Sequence, residues 1–484
     1  MMLLFAAHAL YVGNNACSPC HAEIVKSYAA TPMARTSGAV QGGVNRGVFR
    51  HEDSKTDYRV APSGLVTATR GVSKMQQQLN YFIGSGAAGK SYLYAKDQYL
   101  FQAPVTWYSP QERWDVSPGY ERDNVSRWNR PIEPECLNCH ASQIRFSPSY
   151  RNRYATPPFA QEGVGCERCH GPGSDHVQGN AKLLNPAKLP PAQRDSVCAQ
   201  CHMSGDARVD RAGQSWMEFR PGFLLSDFTA YFVTEGASQL KATSYVEKLS
   251  SSKCKLASGD GLWCGTCHDP HKVPANDERA AWYRTKCLSC HSTDSCGRPG
   301  DCTSCHMPKG KVADVTHGVL TDHAIPKIPA AITVSKDLWK LVPFSAADRG
   351  ARELGLAYAS LFSRTGDPRQ ESESMRLLSA VPADLEVQLA LANLGERHGD
   401  YSAAFGLYRS GKSVPGFAPA LVNLGVYFGL TGNVKDALAI WRDILKQNPC
   451  ATEAGTNLIK ALEFDGDHEE AGKILALQAG CIFR

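Results

Sequence analysis

The chain has 484 residues, 43% hydrophobic and 20% charged, and 52 basic against 47 acidic side chains give it a formal charge of +5. That length admits two or three domains. No apolar run reaches the roughly 18 residues of a membrane-spanning helix, and no Lys/Arg run marks a nucleic-acid partner.

Residues 1–16 open with an apolar stretch, Met1–Leu10, that contains Ala7-His8-Ala9, an A-x-A-like cleavage signal. Despite its missing basic flank it reads as the remnant of a signal peptide, with export to the periplasm or the extracellular space. A helix over His21 to Tyr28 follows the first cysteine pair, Cys17 and Cys20.

That pair begins a pentad, Cys-x-x-Cys-His, that occurs seven times: Cys17-Cys20-His21, Cys136-Cys139-His140, Cys166-Cys169-His170, Cys198-Cys201-His202, Cys264-Cys267-His268, Cys287-Cys290-His291 and Cys302-Cys305-His306. The pentad attaches c-type haem. Its thiols form thioethers with the porphyrin, and its His becomes one axial iron ligand. Structural zinc needs four ligands and does not require a His after every pair. A thioredoxin-like site predicts a single pair beside a βαβ pattern. The expectation is therefore seven covalently bound c-type haems. Each brings two propionates, which turn the formal +5 into roughly −9.

Residues 17–326 form the expected heptahaem domain, with a haem-free, β-rich insert at 47–135. In the insert, Phe49-Arg50-His51 and Tyr58-Arg59-Val60 flank a polar turn. Ser91–Tyr94 and Tyr99–Phe101 flank Lys96-Asp97-Gln98 as an aromatic hairpin. The glycine-rich 84–89 matches no phosphate loop and reads as a turn. The other six pentads lie between 136 and 306, dense enough that porphyrins must pack on one another. Residues 327–345 read as a linker.

From 346 to 484 helical periodicity takes over. Gly366, Gly399, Gly432 and Gly466 recur every 33 or 34 residues, as do Ala404, Ala437 and Ala471, and Pro382, Pro415 and Pro449. That is the tetratricopeptide pattern, in which three stacked units suffice for a core. The fold class is thus a mainly α and irregular multihaem domain with a small β-rich segment, followed by an α-solenoid. Cys450 opens the last repeat and Cys481 closes it, so a disulfide and a pair of buried thiols both fit. Spacing gives no geometric support for pairing Cys254 with Cys296.

The runs Cys166-Glu-Arg-Cys-His-Gly-Pro-Gly-Ser-Asp-His176, Cys264-Gly-Thr-Cys-His-Asp-Pro-His271 and Cys302-Thr-Ser-Cys-His-Met-Pro308 resemble multihaem cytochromes with doubled CXXCH motifs. The family meant is the one typified by the tetrahaem electron acceptor of hydroxylamine oxidoreductase. Tyr81-Phe-Ile-Gly-Ser-Gly86, Ser117-Pro-Gly-Tyr120 and the repeats are similar to a narrower group with an aromatic β segment and tetratricopeptide repeats. The resemblance implies haem electron transfer over nearly the whole chain.

A second His or Met on each iron gives a closed carrier, and an open position permits substrate chemistry. The resemblance implies distal ligation by His176 and His271, and similarly by His317 and His323. His51 is a further candidate, or else a polar residue at a strand edge. Met33 stands where the resembling group has Met or His, with a core methionine as the alternative. Tyr245 stands where that group commonly has a His, so it marks a Tyr-facing or open haem. Met203, Met217 and Lys248 remain as substitutes.

The expected function is electron transfer through the haem chain, with the repeats docking a redox protein and a homo-oligomer left open. Two rivals stand: an oxidoreductase acting on a small nitrogen or sulfur compound at an open haem, and a subunit of a conductive filament or larger redox complex. No Cys-x-x-Cys-Lys pentad is present to support the first.

Overall fold

The structure is a computed structural model that describes residues 10–147, 150–237, 239–292, 296, 300–327, 339–410, 419–479 and 481–483. Of the expected leader, residues 1–9 lie outside this set, as do 328–338 of the expected linker and Pro415. The chain divides into two compact units. One comprises Met1–Thr36, Cys139–Gln143 and Gln161–Leu338; the other comprises Ser37–Asn138, Ile144–Ala160 and Trp339–Arg484.

The first unit is a series of short helices joined by irregular chain. Residues i, i+3 and i+4 share one face of a helix, so a helical turn points both thiols and the imidazole of a pentad the same way. The pentads follow this rule. The first lies in Asn14–Ala29, the fourth ends Pro191–His202, and the seventh fills Cys302–His306. The third and fifth occupy Glu167–His170 and Cys264–Cys267 with their flanking caps. The first helix begins earlier than the sequence suggests, because it includes the pentad itself, and it kinks at His21 (φ −123°, ψ 37°). Two antiparallel ladders, Ala207–Asp210 with Thr229–Thr234 and Lys309–Lys311 with Val319–Thr321, stiffen the unit.

The second unit combines sheet and helices. Gly47–His51, Thr56–Val60, Leu65–Arg70 and Ser73–Gln78 form an antiparallel meander in which Phe49 stands opposite Tyr58 and the two rings stack. A larger sheet has Tyr99–Tyr108 at its centre, paired to Lys90–Lys96 through a two-residue turn. Asp97 and Gln98 of that turn both have positive φ (51° and 70°), the geometry that matches hairpin twist. Gly84 and Gly86, also left-handed, turn the chain just before Lys90–Lys96.

Eight helices follow among the described residues, from Ala351–Thr365 to His468–Gln478, and consecutive ones pack as pairs. The periodic glycines have a structural reason. Gly366, Gly399, Gly432 and Gly466 all sit at φ between 71° and 85°, a left-handed turn that L side chains resist. The periodic alanines are buried where the paired helices meet. Leu341–Pro343, within the expected linker, is a short strand, and Leu341 is buried with its N–H donating to the Tyr358 hydroxyl (3.0 Å).

Cys450 and Cys481 form a disulfide, in a core that also holds Tyr58, Phe101 and Trp128. It closes the last helical pair, whose end packs against the β segment. Trp128 N–H donates to Cys481 O (3.0 Å), and the Tyr99 hydroxyl donates to Lys446 O (2.8 Å).

Candidate functional site

Within the first unit, three pentad histidines each face a second histidine. His21 faces His176 with ring centroids 6.4 Å apart and planes 18° from parallel. His170 faces His271 at 5.9 Å and 14°, and His268 faces His323 at 6.2 Å and 26°. A metal–imidazole bond is about 2.0 Å, and the nitrogen lies about 1.1 Å from its ring centre, so imidazoles in line across one ion have centroids about 6.2 Å apart. The three pairs fit a haem iron between them. They also interlock the chain, because the histidine after pentad three meets the histidine of pentad one, that after five meets that of three, and that after seven meets that of five.

Ring protonation supports the fit. An iron-binding imidazole commonly donates its Nδ1–H to a carbonyl, which leaves Nε2 bare for the metal. His170 meets Leu184 O (2.8 Å), His176 meets Ala181 O (3.2 Å), His306 meets Pro326 O (3.0 Å) and His323 meets Thr321 O (3.0 Å), each through Nδ1. Hydroxyls take that place for two others: Thr36 Oγ1 for His140 (2.8 Å) and the Tyr283 hydroxyl for His268 (3.3 Å). Burial pushes His140 and His268 down to about 4, so both rings are neutral at pH 7, as ligation requires.

The other candidate ligands are placed differently. His51 lies in the second unit, at the end of its strand, with Nδ1 against Ser54 Oγ (2.9 Å) and Nε2 against Glu121 O (3.1 Å). Both ring nitrogens are engaged, so binding a metal would break at least one of these bonds. Met33 is half-buried in the turn Met33–Arg35. His317 sits at left-handed φ (59°), half-buried, and His291 is exposed. Tyr245 packs edge-to-face between His202 (5.4 Å, 74°) and His323 (4.9 Å, 89°). A tyrosine oxygen bound across iron from an imidazole would separate the centroids by about 8 Å on the same arithmetic. In this arrangement Tyr245 is a ring neighbour of His202, and burial raises its hydroxyl pKa.

The thiols link further pentads. The thiols of Cys17 and Cys166 lie beside one another, as do those of Cys139 and Cys201, Cys198 and Cys264, and Cys287 and Cys302. Together with the histidine pairs, these contacts join all seven pentads into one network.

Two carboxylates that sequence reasoning missed hold the network in register. Glu167, between the cysteines of the third pentad and 5% exposed, accepts from the backbone N–H groups of Val12 (2.9 Å), Gly13 (2.8 Å) and Gly173 (2.8 Å). Asn14 Oδ1 accepts from Cys166 N–H (2.9 Å), so the first pentad is clasped to the third. Glu247 accepts from the N–H groups of Ser204 (2.9 Å) and Gly205 (2.6 Å), just beyond the fourth pentad. A carboxylate inside a haem motif was the available signal for Glu167; nothing in the sequence marked Glu247.

The family of cytochrome c554 and c-prime matches residues 116–171, a stretch that includes the second and third pentads. The multiheme cytochrome MtrA of Shewanella baltica is 26% identical over 176 residues, covering 32% of this chain and 52% of that protein. The dissimilatory sulfite reductase MccA of Wolinella succinogenes is 26% identical over 216 residues, covering 36% of this chain and 27% of that protein. The chain thus spans about half the length of the first relative and about a quarter of the second. The crystal structure of the outer cell wall cytochrome OcwA aligns over 90% of this chain and 99% of that one, with a TM-score of 0.42 and 14% identity. The chain is a multihaem c-type cytochrome.

Proposed function

We propose that this multihaem cytochrome carries electrons through seven covalently bound c-type haems. The observation that carries the reading is the interlocked set of histidine pairs, each at the span of one iron. When bound, haem iron supplies one-electron chemistry at a potential set by its axial ligands and surroundings. The chain's own part is to supply the ligands. In this assignment His21, His140, His170, His202, His268, His291 and His306 are proximal ligands. His176, His271 and His323 complete three irons, and Met33 and His317 are candidates for others. His51 is the weakest candidate because its nitrogens are already engaged.

The proposal keeps a heptahaem domain at 17–326, a linker at 327–345 and a tetratricopeptide domain at 346–484 that docks a redox protein. The left-handed periodic glycines and buried periodic alanines support the repeat reading. Among the described residues no helix is long and apolar enough to cross a membrane. Covalent haem attachment and the Cys450–Cys481 disulfide favour an exported location, periplasmic or extracellular. Intact mass of the holoprotein tests the count, with seven haem additions expected. Substoichiometric reductant tests the wire: electrons should distribute over every haem, and a haem that never exchanges them contradicts it.

A second reading makes the haem of His202 reactive towards a small nitrogen or sulfur compound. It is favoured by the tyrosine ring that His202 meets where three other pentad histidines meet an imidazole. It requires turnover that Tyr245→Phe alters.

A further inference from the structure

Beside the second and fourth pentads lies a polar interior that the ligand assignments do not use. Arg168, between the cysteines of the third pentad, has Nε and Nη2 buried and without a hydrogen-bond partner. Tyr231, 3% exposed, has a buried hydroxyl without a partner. Tyr231 stands directly opposite Arg208 in the ladder of Ala207–Asp210 with Thr229–Thr234. The Arg208 guanidinium lies 3.8 Å from the ring centre of Trp216, which is 1% exposed and donates its indole N–H to Gln200 O (3.0 Å). Arg168 and Arg208 both lie close enough to the thiols of Cys139 and Cys201 to act on them electrostatically.

Buried donors in native proteins are nearly always satisfied, and a buried guanidinium without an anion is especially unfavourable. Glu247 is the nearby carboxylate, but its Oε1 is taken by backbone amides and its Oε2 meets no donor. Lys241 and Asp206, also near, form an ion pair with each other. Glu167, next to Arg168 in the chain, is likewise taken up by the backbone amides of Val12, Gly13 and Gly173. Arg168 also lies beside the Cys201 thiol.

We propose that Arg168, Arg208 and Tyr231 form a cradle for a carboxylate, and that its occupant is a haem propionate. The forked donors of arginine suit a carboxylate's two oxygens, and a phenol O–H adds a third donor. A carboxylate tethered to a covalently bound porphyrin needs no path from solvent, which favours it over a soluble oxyanion at donor atoms as buried as Arg168 Nε and Nη2 and the Tyr231 hydroxyl. The inference rests on the multihaem reading above and adds which residues hold the propionate edge. By neutralising that carboxylate, the cradle sets the potential of the haem that bears it.

The test compares Arg168→Gln and Tyr231→Phe with the wild-type holoprotein by intact mass, resonance Raman of the propionate bending band, and a potentiometric titration at one pH. The expected result is seven haems throughout, a moved propionate band in both variants, and one midpoint potential lowered, more by Arg168→Gln than by Tyr231→Phe. Unchanged bands and midpoints with seven haems present overturn the cradle and leave the multihaem reading standing. Fewer than seven haems in the wild type counts against that reading instead. If Arg168→Gln fails to fold or load haem, Tyr231→Phe, which removes only a hydroxyl, decides. Sulfite or nitrite that perturbs the wild-type spectrum but not the Arg168→Gln spectrum would give the cradle to a soluble oxyanion and overturn its assignment to propionate.

Discussion

The two units are held together by different means. Both clusters of buried apolar side chains lie in the sheet-and-helix unit, one around Leu424, Trp441 and Leu458, the other around Phe101, Trp128 and the disulfide. The haem-motif unit also buries apolar side chains, among them Trp216, Phe219 and Phe232, but its pentads rely on short helices, polar clasps at Glu167 and Glu247, and near-parallel histidine rings about 6 Å apart. A protein interior is normally close-packed apolar matter. Where the chain does not supply it, a bound group must, and in a multihaem cytochrome that group is the porphyrin. The unit with the larger apolar clusters should therefore stand alone, and the other should depend more on its cofactor.

The largest expected effect follows directly. In protein made without haem attachment, hydrogen exchange over residues 164–306 should become fast while the helices of 351–478 stay protected. Equal protection in both would break the comparison. Next, replacing Cys450 and Cys481 by serine opens a loop with a sequence separation of 31. It should cost about 3–4 kcal/mol, read as a lower thermal midpoint for the second unit with haem spectra unaltered. Glu167→Gln should cost about 2 kcal/mol, because a hydrogen-bonded buried carboxylate is replaced by an amide whose NH2 meets a backbone donor. Its signature is selective loosening of residues 10–16, with the disulfide-linked core unaffected.

The smallest effect is a pH dependence. Burial alone would raise the Asp206 carboxyl, but the Lys241 ammonium and the Thr234 N–H hold it below its usual range. A depressed carboxylate contributes stability above its unfolded pKa, and that contribution is lost as pH falls through the folded value. Asp206→Asn should flatten the acid limb of the stability profile of the haem-motif unit by on the order of 1 kcal/mol. An unchanged acid limb would show that the ion pair is not a stabilising link.

Much of this was legible in the sequence because local rules govern it. The pentad spacing gives helical turns, the aromatic alternation gives the Lys90–Lys96 and Tyr99–Tyr108 hairpin, and the periodic glycines mark left-handed turns. The first helix started earlier than expected because a pentad favours the same turn that follows it. What was not legible depends on residues far apart in sequence. Nothing local tells that His176 meets His21, or that His323 meets His268, and nothing local distinguishes His51, whose engaged nitrogens appear only once Glu121 is beside it. Tyr245 stood out as a departure from a resemblance, but its packing against two histidines at once needed the fold.

The most direct test of the central account is electron paramagnetic resonance of the fully oxidised holoprotein, with His176→Ala and His51→Ala beside it. If histidine pairs close three irons, low-spin signals with two imidazole ligands should account for at least three haems. His176→Ala should convert one of them to high spin, and His51→Ala should change nothing. A spectrum that His176→Ala leaves intact would contradict the interlocked pairing on which the proposed electron path rests, whereas one that His51→Ala alters would show His51 to be a ligand despite its engaged nitrogens.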